Sequence, residues 1–412
     1  MKRSISAAMI ACAFMLMAYG TANARVKGVC QACHTMHNSQ GGQPMAKVSY
    51  LSSPSAQPFW SGNAINAGTA NTSTPNEYLL RADCIGCHSN TGTQTIVYYM
   101  SNKVPIVHNT QKPAYEVPGA NNALAGGNFY WSDTVNGGTG SNMLNGHNVT
   151  QANTTLTVAP GLNDGGSGCT TSCHYTLHSP KDIDGTTTLT GCQGCHYSQF
   201  HHKKKGMNTN QDPTYRFLMG PNASGMGGYY AQGIEDPNFE QNPTATVHNV
   251  YMANGTSNGS AFSVAATGIV NASNRSLSSF CAGCHGAFHE DTKDSSGVWV
   301  RHPIDVLVSK LTADGHENET FVYNGANGSG ANNYDPRVPV AFGIANPYGD
   351  AASTYSTIDA THGQVTCVSC HRTHASPYKQ MLRFDYTAIV AGNSTTAGGN
   401  GCFACHTEKA LQ

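Results

Sequence analysis

Cys30-Gln31-Ala32-Cys33-His34 is the stretch that decides how this chain is read. The pattern returns at Cys84, Cys87 and His88, at Cys192, Cys195 and His196, at Cys281, Cys284 and His285, at Cys367, Cys370 and His371, and at Cys402, Cys405 and His406. A seventh copy, Cys169, Cys173 and His174, carries one more residue between its cysteines. Cys-x-x-Cys-His is an attachment motif for c-type haem. Two thiols form thioethers with the porphyrin and the following imidazole ligates its iron. On a helical turn, positions i, i+3 and i+4 share a face, so both sulfurs and the imidazole can meet one ring. The seventh copy needs a looser loop.

The cysteine count closes on this reading. Of 15 cysteines the seven motifs use 14, and the last, Cys12, lies in the leader described below. A disulfide framework or a set of zinc sites would also consume cysteines. Neither requires a histidine directly after each second cysteine.

Working outward, Met1–Ala24 has the form of a secretory signal. It has basic Lys2 and Arg3, a short apolar run from Ser4 to Tyr19, and a small-x-small site at Ala22-Asn23-Ala24. The run is too short for a spanning helix and no later segment could span a bilayer, so no transmembrane segment is expected in the mature protein. Residues 25–412 then form one exported seven-haem domain, secreted or at the cell surface after passage through the periplasm.

Charged residues make up only 11% of the chain and glycine accounts for 45 positions. Gly/Asn/Ser/Thr-rich stretches, such as 136–142, 252–260, 324–333 and 391–400, resist long helices and packed strands. Seven covalently held apolar rings would offset that deficit. The expected fold is therefore loop-rich and irregular, a polypeptide wrapped around a chain of haems. Short helices are expected at Asn76–His88, Ser276–His285, Pro303–Leu311 and Pro377–Phe384. Short strands are expected at Thr95–Tyr99 and Thr154–Val158. Without Lys2 and Arg3 the chain has 20 basic against 23 acidic residues, so nothing favours nucleic acid. The one dense basic run, His201-His202-Lys203-Lys204-Lys205, reads as a solvated face.

The far side of each iron sets the chemistry. Of 19 histidines, seven are proximal and 12 remain, enough for seven distal ligands. His37, His178 and His374 follow a motif too closely to fold back onto the same haem, and suit a neighbouring one. His147, His248 and His362 lie upstream of motifs and His302 follows one. These seven form the distal set, with His108, His289, His201 and His202 in reserve and methionine as a competing ligand. Iron held between two histidines has no open position. That leaves electron transfer and disfavours a multihaem reductase, and no Cys-x-x-Cys-Lys motif is present.

Several of these stretches resemble the extracellular multihaem c-type cytochrome filaments, or cytochrome nanowires, of metal-reducing bacteria. They are Cys30–Ser39, Gly146-His147-Asn148-Val149, Cys281 through Arg301-His302-Pro303, Cys367–Ser376 with Met381-Leu382-Arg383-Phe384, and the terminal motif at Cys402. The resemblance implies a head-to-tail homopolymer with His37 ligating a haem of the adjacent subunit. It also implies other multihaem cytochromes as electron donors, and metal oxides or other cells as acceptors. The chain departs from the six-haem pattern between Gly161 and Met252, where Cys192–His196, with His248, looks like an addition. The alternative is a soluble periplasmic or extracellular carrier that does not polymerise.

Overall fold

A computed structural model describes residues 34–35, 39–40, 43–44, 60–61, 64–65, 80–81, 88–90, 92–99, 102–115, 123–132, 145–147, 192, 195–196, 215–218, 231–253, 275–285, 302, 304–305, 308, 334–344, 351–358, 362–390 and 401–405. Residues 34–81, 99, 102 and 282–285 are described through their backbone alone. The leader, the motif Cys169–His174 and the expected strand Thr154–Val158 lie outside these residues.

Regular structure is sparse, as the glycine and asparagine content requires. Among the described residues the longest helix is Leu277–His285, which carries the motif at Cys281. It follows the Ser276 hydroxyl, which accepts from the Ser279 amide at 3.0 Å and satisfies one of the first-turn donors. No helix of the described residues is long and apolar enough to cross a membrane. The strand expected near Thr95 is present as Ile96–Tyr99, paired antiparallel with Asn102–Pro105.

A three-stranded sheet, Gly233–Ile234, Val250–Met252 and Ala341–Phe342, organises the second half of the described chain. Its first pair is antiparallel and its second parallel. Side chains alternate across it as a strand demands. Val250 and Phe342 enter one apolar cluster with Val308, Tyr334, Tyr355 and Ala404, against which Cys405 packs. Tyr251 and Ala341 face the other cluster, with Tyr215, Leu277 and Val368. The sheet is thus a divider. One face meets the motif at Cys402, and the other meets the elements bearing the motifs at Cys281 and Cys367.

Three helix expectations need correction. Within Asn76–His88, Leu80–Arg81 is a strand paired antiparallel with His34–Thr35. Within Pro303–Leu311, Asp305 has φ 58°. The amides of Asp305 and Val308 donate to Val365 and Gly363 rather than back along a helix. Within Pro377–Phe384, only Lys379–Met381 makes a 3-10 turn, broken by left-handed Gln380 and Met381. In each case a cross-chain backbone partner outweighs local helix propensity.

Candidate haem-ligand site

The described motifs adopt the turn that their spacing predicts. The His196 amide donates to the Cys192 carbonyl at 2.8 Å, and the His371 amide to Cys367 at 3.0 Å. Cys367–Cys370 is a short helix, and Cys402–Ala404 is a 3-10 turn. Thr366 precedes the former, its amide donating to the Ser369 hydroxyl at 3.0 Å.

The side chains of seven motif cysteines are placed: Cys192, Cys195, Cys281, Cys367, Cys370, Cys402 and Cys405. Burial raises the Cys195 thiol to about 11. Burial, with the neighbouring Cys402 next, raises Cys370 to about 12. Burial, with Cys370 and Cys402, raises Cys405 to about 12. The mutual influence of Cys370, Cys402 and Cys405 also places the last two motifs side by side.

The imidazoles share a second feature. His88 Nδ1 meets the Pro105 carbonyl at 2.7 Å, His196 Nδ1 meets Arg216 at 2.7 Å, and His371 Nδ1 meets Gln380 at 2.8 Å. His147 Nδ1 meets Thr373 at 2.6 Å, and His248 Nδ1 meets Asn249 at 2.7 Å. A carbonyl only accepts, so each Nδ1 carries the proton. Burial lowers the pKa of His88, His147, His196 and His248, keeping these rings neutral. A neutral ring protonated at Nδ1 leaves the Nε2 lone pair bare, the arrangement of a metal-ligating histidine with its orienting partner. At His248 that Nε2 is buried with no hydrogen-bond partner.

One loop gathers these rings. The His374 amide donates to Gly126 at 2.6 Å, the His147 amide to the His374 carbonyl at 3.1 Å, and the Ser376 amide to Asn145 at 2.9 Å. His374–Ser376 therefore runs as a rung between residues 126–128 and 145–147. Arg372, 4% exposed, fastens the loop through Nη1, which donates to the carbonyls of Leu124 at 2.8 Å and Ala125 at 3.2 Å. The His374 ring stacks on Phe129, with centres 5.0 Å apart, and a Cβ on Gly126 would come within 2.8 Å of its Nδ1. So held, His374 stands 6.0 Å from His196, centre to centre, with planes at 53°. Burial, then the neighbouring His196, lowers its pKa to about 3.

Two neutral imidazoles this close would both be within reach of one haem iron, which they could hold between them. The residues present therefore suit a haem whose sulfur anchors are Cys192 and Cys195.

Of the remaining sequence-derived ligands, His302 and His362 are exposed. His248 is fully buried and stacks on Tyr334 at 3.7 Å. His34 and His285 are described only by backbone. His37, His174, His178, His406, Cys30, Cys33, Cys84, Cys87, Cys169 and Cys173 lie outside the described residues, as does the side chain of Cys284. His108, held in reserve by the sequence reading, is fully buried and pairs in parallel with Ser89, next to His88. Its signal was the His-Asn dipeptide that it shares with His147-Asn148 and His248-Asn249. The carbonyls of Pro105, Arg216, Gln380 and Thr373 carried no sequence signal, because backbone acceptors are independent of residue type.

Residues 360–411 match the family model described as a doubled CXXCH motif, the same pair of motifs that the buried thiols place together. C-type cytochrome OmcS of Geobacter sulfurreducens is 27% identical, over 96% of this chain and 88% of its own length. Among solved structures, the Outer Membrane Cytochrome S Filament from Geobacter sulfurreducens is similar at TM-score 0.43 and 22% identity, over 88% of this chain and 85% of the other. A second, described as the OmcS nanowires of that organism, is similar at TM-score 0.40 and 20% identity, over 93% of each chain. These relatives are described as cytochromes. The chain is thus similar, along nearly all of its length, to a filament-associated c-type cytochrome.

Proposed function

We propose that the chain is an exported seven-haem c-type cytochrome with bis-histidine ligation. It polymerises head to tail and carries electrons to acceptors outside the cell. The observation that carries the ligation is the His196–His374 pair, with centres 6.0 Å apart. A haem held in this way supplies one-electron Fe(III)/Fe(II) exchange with no open coordination site. The seven motifs provide the thioether anchors and proximal ligands. His37, His147, His178, His248, His302, His362 and His374 provide the distal ligands.

The chain's own residues fix spacing and exclude water. His374, rather than the His248 expected from sequence, stands beside His196; it lies three residues after His371, so serving the haem at Cys192 ties that haem to the one at Cys367. Electrostatic influence of His88 on both His196 and His374 supports a position for the first described motif beside the same pair. The clustered Cys370, Cys402 and Cys405 support the terminal haem as the next neighbour. On this reading the haem at Cys192 is a station within the path rather than a side branch.

Polymerisation rests on similarity to the filament-forming cytochrome and on His37, which lies close to the mature N-terminus and can reach a second copy. A heterologous joint of this kind does not close and gives an open helical polymer. Electron microscopy of haem-loaded protein recovered outside the cells tests it. Unbranched filaments are expected from the unaltered chain and single particles from His37→Ala. Full-length filaments from that variant would remove the trans ligand. Discrete particles from the unaltered chain would favour the soluble carrier.

A further inference from the structure

The three described proximal histidines whose side chains are placed share one backbone device. His196 forms an isolated antiparallel bridge with Leu218, and His371 forms one with Leu382. The Val107 amide donates to the His88 carbonyl at 2.9 Å. In each case the carbonyl that takes the Nδ1 proton belongs to the residue two positions before that partner. These are Arg216, Gln380 and Pro105.

Two of the three clasps use an unusual conformation. Arg216 and Phe217 have φ 50° and 60°, and Gln380 and Met381 have φ 55° and 58°. L-residues other than glycine enter the left-handed region at a cost, and two in succession are rarer still. Of the eight described non-glycine residues with positive φ, four form these two turns. Such conformations persist where the surroundings over-determine them. At Arg216 they do. Its amide donates to Glu235 Oε1 at 2.7 Å, and its guanidinium donates to the Asp236 carbonyl and Asn249 Oδ1. The same guanidinium lies 4.4 Å from the centre of the Phe239 ring. At the other turn, the Met381 carbonyl accepts from the Arg372 amide at 2.8 Å.

A turn that only closed a loop would not need its carbonyl aimed at an imidazole. We propose that Arg216 and Gln380 are positioning residues for the haem irons. Their left-handed backbone aims a carbonyl at His196 and His371 Nδ1, fixes the plane of each ring and strengthens its donation to iron. The left-handed turns thereby hold the reduction potentials of these two haems low. An imidazole whose Nδ1–H is bonded is a stronger base and favours the ferric state. The proposal rests on the haem reading given above.

Gln380 is exposed, so its side chain can be changed with little direct loss of packing. The test uses the full haem-loaded chain in a potentiometric titration followed by optical and EPR spectra. Gln380→Gly keeps the left-handed turn and should titrate like the unaltered protein. Gln380→Val disfavours positive φ. It should move one haem's midpoint to more positive potential and shift its low-spin EPR line, with seven haems still attached. A fully loaded valine variant whose titration and EPR spectrum superimpose on those of the unaltered protein overturns the proposal. Should the valine variant fail to load that haem, Gln380→Thr, a more polar β-branched residue, carries the same test, and an unmoved titration there overturns it equally. An unaltered chain that carries no haem at Cys367 and Cys370 would instead overturn the haem reading itself.

Discussion

The rings of His196 and His374 stand 6.0 Å apart although one follows Cys195 and the other belongs to the loop after Cys370. On the proposed ligation, this pair would join two motifs through a single ligand set. His374→Ala should leave the thioethers intact, since Cys192 and Cys195 are untouched. It should leave the haem at Cys192 five-coordinate and high-spin while the others stay low-spin. Carbon monoxide difference spectra of the reduced protein, together with EPR of the oxidised form, show that change. A variant that stays wholly low-spin and binds no carbon monoxide would show that His374 is not an axial ligand.

The rung that carries His374 leaves no room for a side chain at Gly127. Gly127 has φ 81°, and a Cβ there would collide with the Ala375 carbonyl oxygen. Gly127→Ala combines conformational strain with overpacking, each worth about 1–2 kcal/mol. A loss of about 2–4 kcal/mol in unfolding free energy is expected from denaturant titration, accompanied by the same high-spin signal as His374→Ala. Loss of stability without that signal would detach the rung from the ligand.

The motif turns and the Leu277–His285 helix were legible because haem attachment is written in residue type and spacing. The strand expected at Thr95–Tyr99, and found at Ile96–Tyr99, was legible from its β-branched and aromatic residues. Leu80–Arg81 and Lys379–Met381 were not. Their local composition suits a helix, and their conformation is decided by backbone partners outside the segment, His34–Thr35 for the first and His371 for the second. Nor was the partner of His374 legible. The sequence shows that His374 cannot reach its own haem easily, but His196 is brought to it by the folding of the intervening chain. Left-handed Arg216 and Gln380 were hidden for a further reason: positive φ is read from glycine, and neither position is glycine.

Arg372 holds the same loop by a planar guanidinium that lysine cannot reproduce, its Nε donating to the Tyr115 hydroxyl at 3.4 Å beside the bonds from Nη1. Its Nη1 donates to both Leu124 and Ala125, and its guanidinium lies 5.4 Å from the centre of the Tyr115 ring. Arg372→Lys keeps the charge and loses the planar guanidinium. Leaving buried carbonyls short of a donor costs about 1–3 kcal/mol. Thermal unfolding followed in the far-ultraviolet and by the haem absorption should fall together. A variant as stable as the parent would show that the cation, rather than the planar group, fastens the loop.

Glu240 gives a pH dependence of defined sign. It is 2% exposed, and its Oε1 accepts from the Asn249 amide at 3.2 Å. Burial raises its pKa against the opposing pull of Arg383 and Arg372, with Asp236 adding to the rise. A carboxyl whose folded pKa exceeds its unfolded one contributes stability that is fully present below the unfolded value. That contribution is lost as pH climbs through the folded one. At neutral pH the fold therefore holds a carboxylate that burial disfavours. Glu240→Gln retains an oxygen for Asn249 and removes the titration. Denaturant midpoints for parent and variant should coincide near pH 4 and separate in favour of the variant at pH 7. A gap of equal size at both pH values would mean that Arg383 and Arg372 fully compensate the buried charge, and the slope would then have to come from another group.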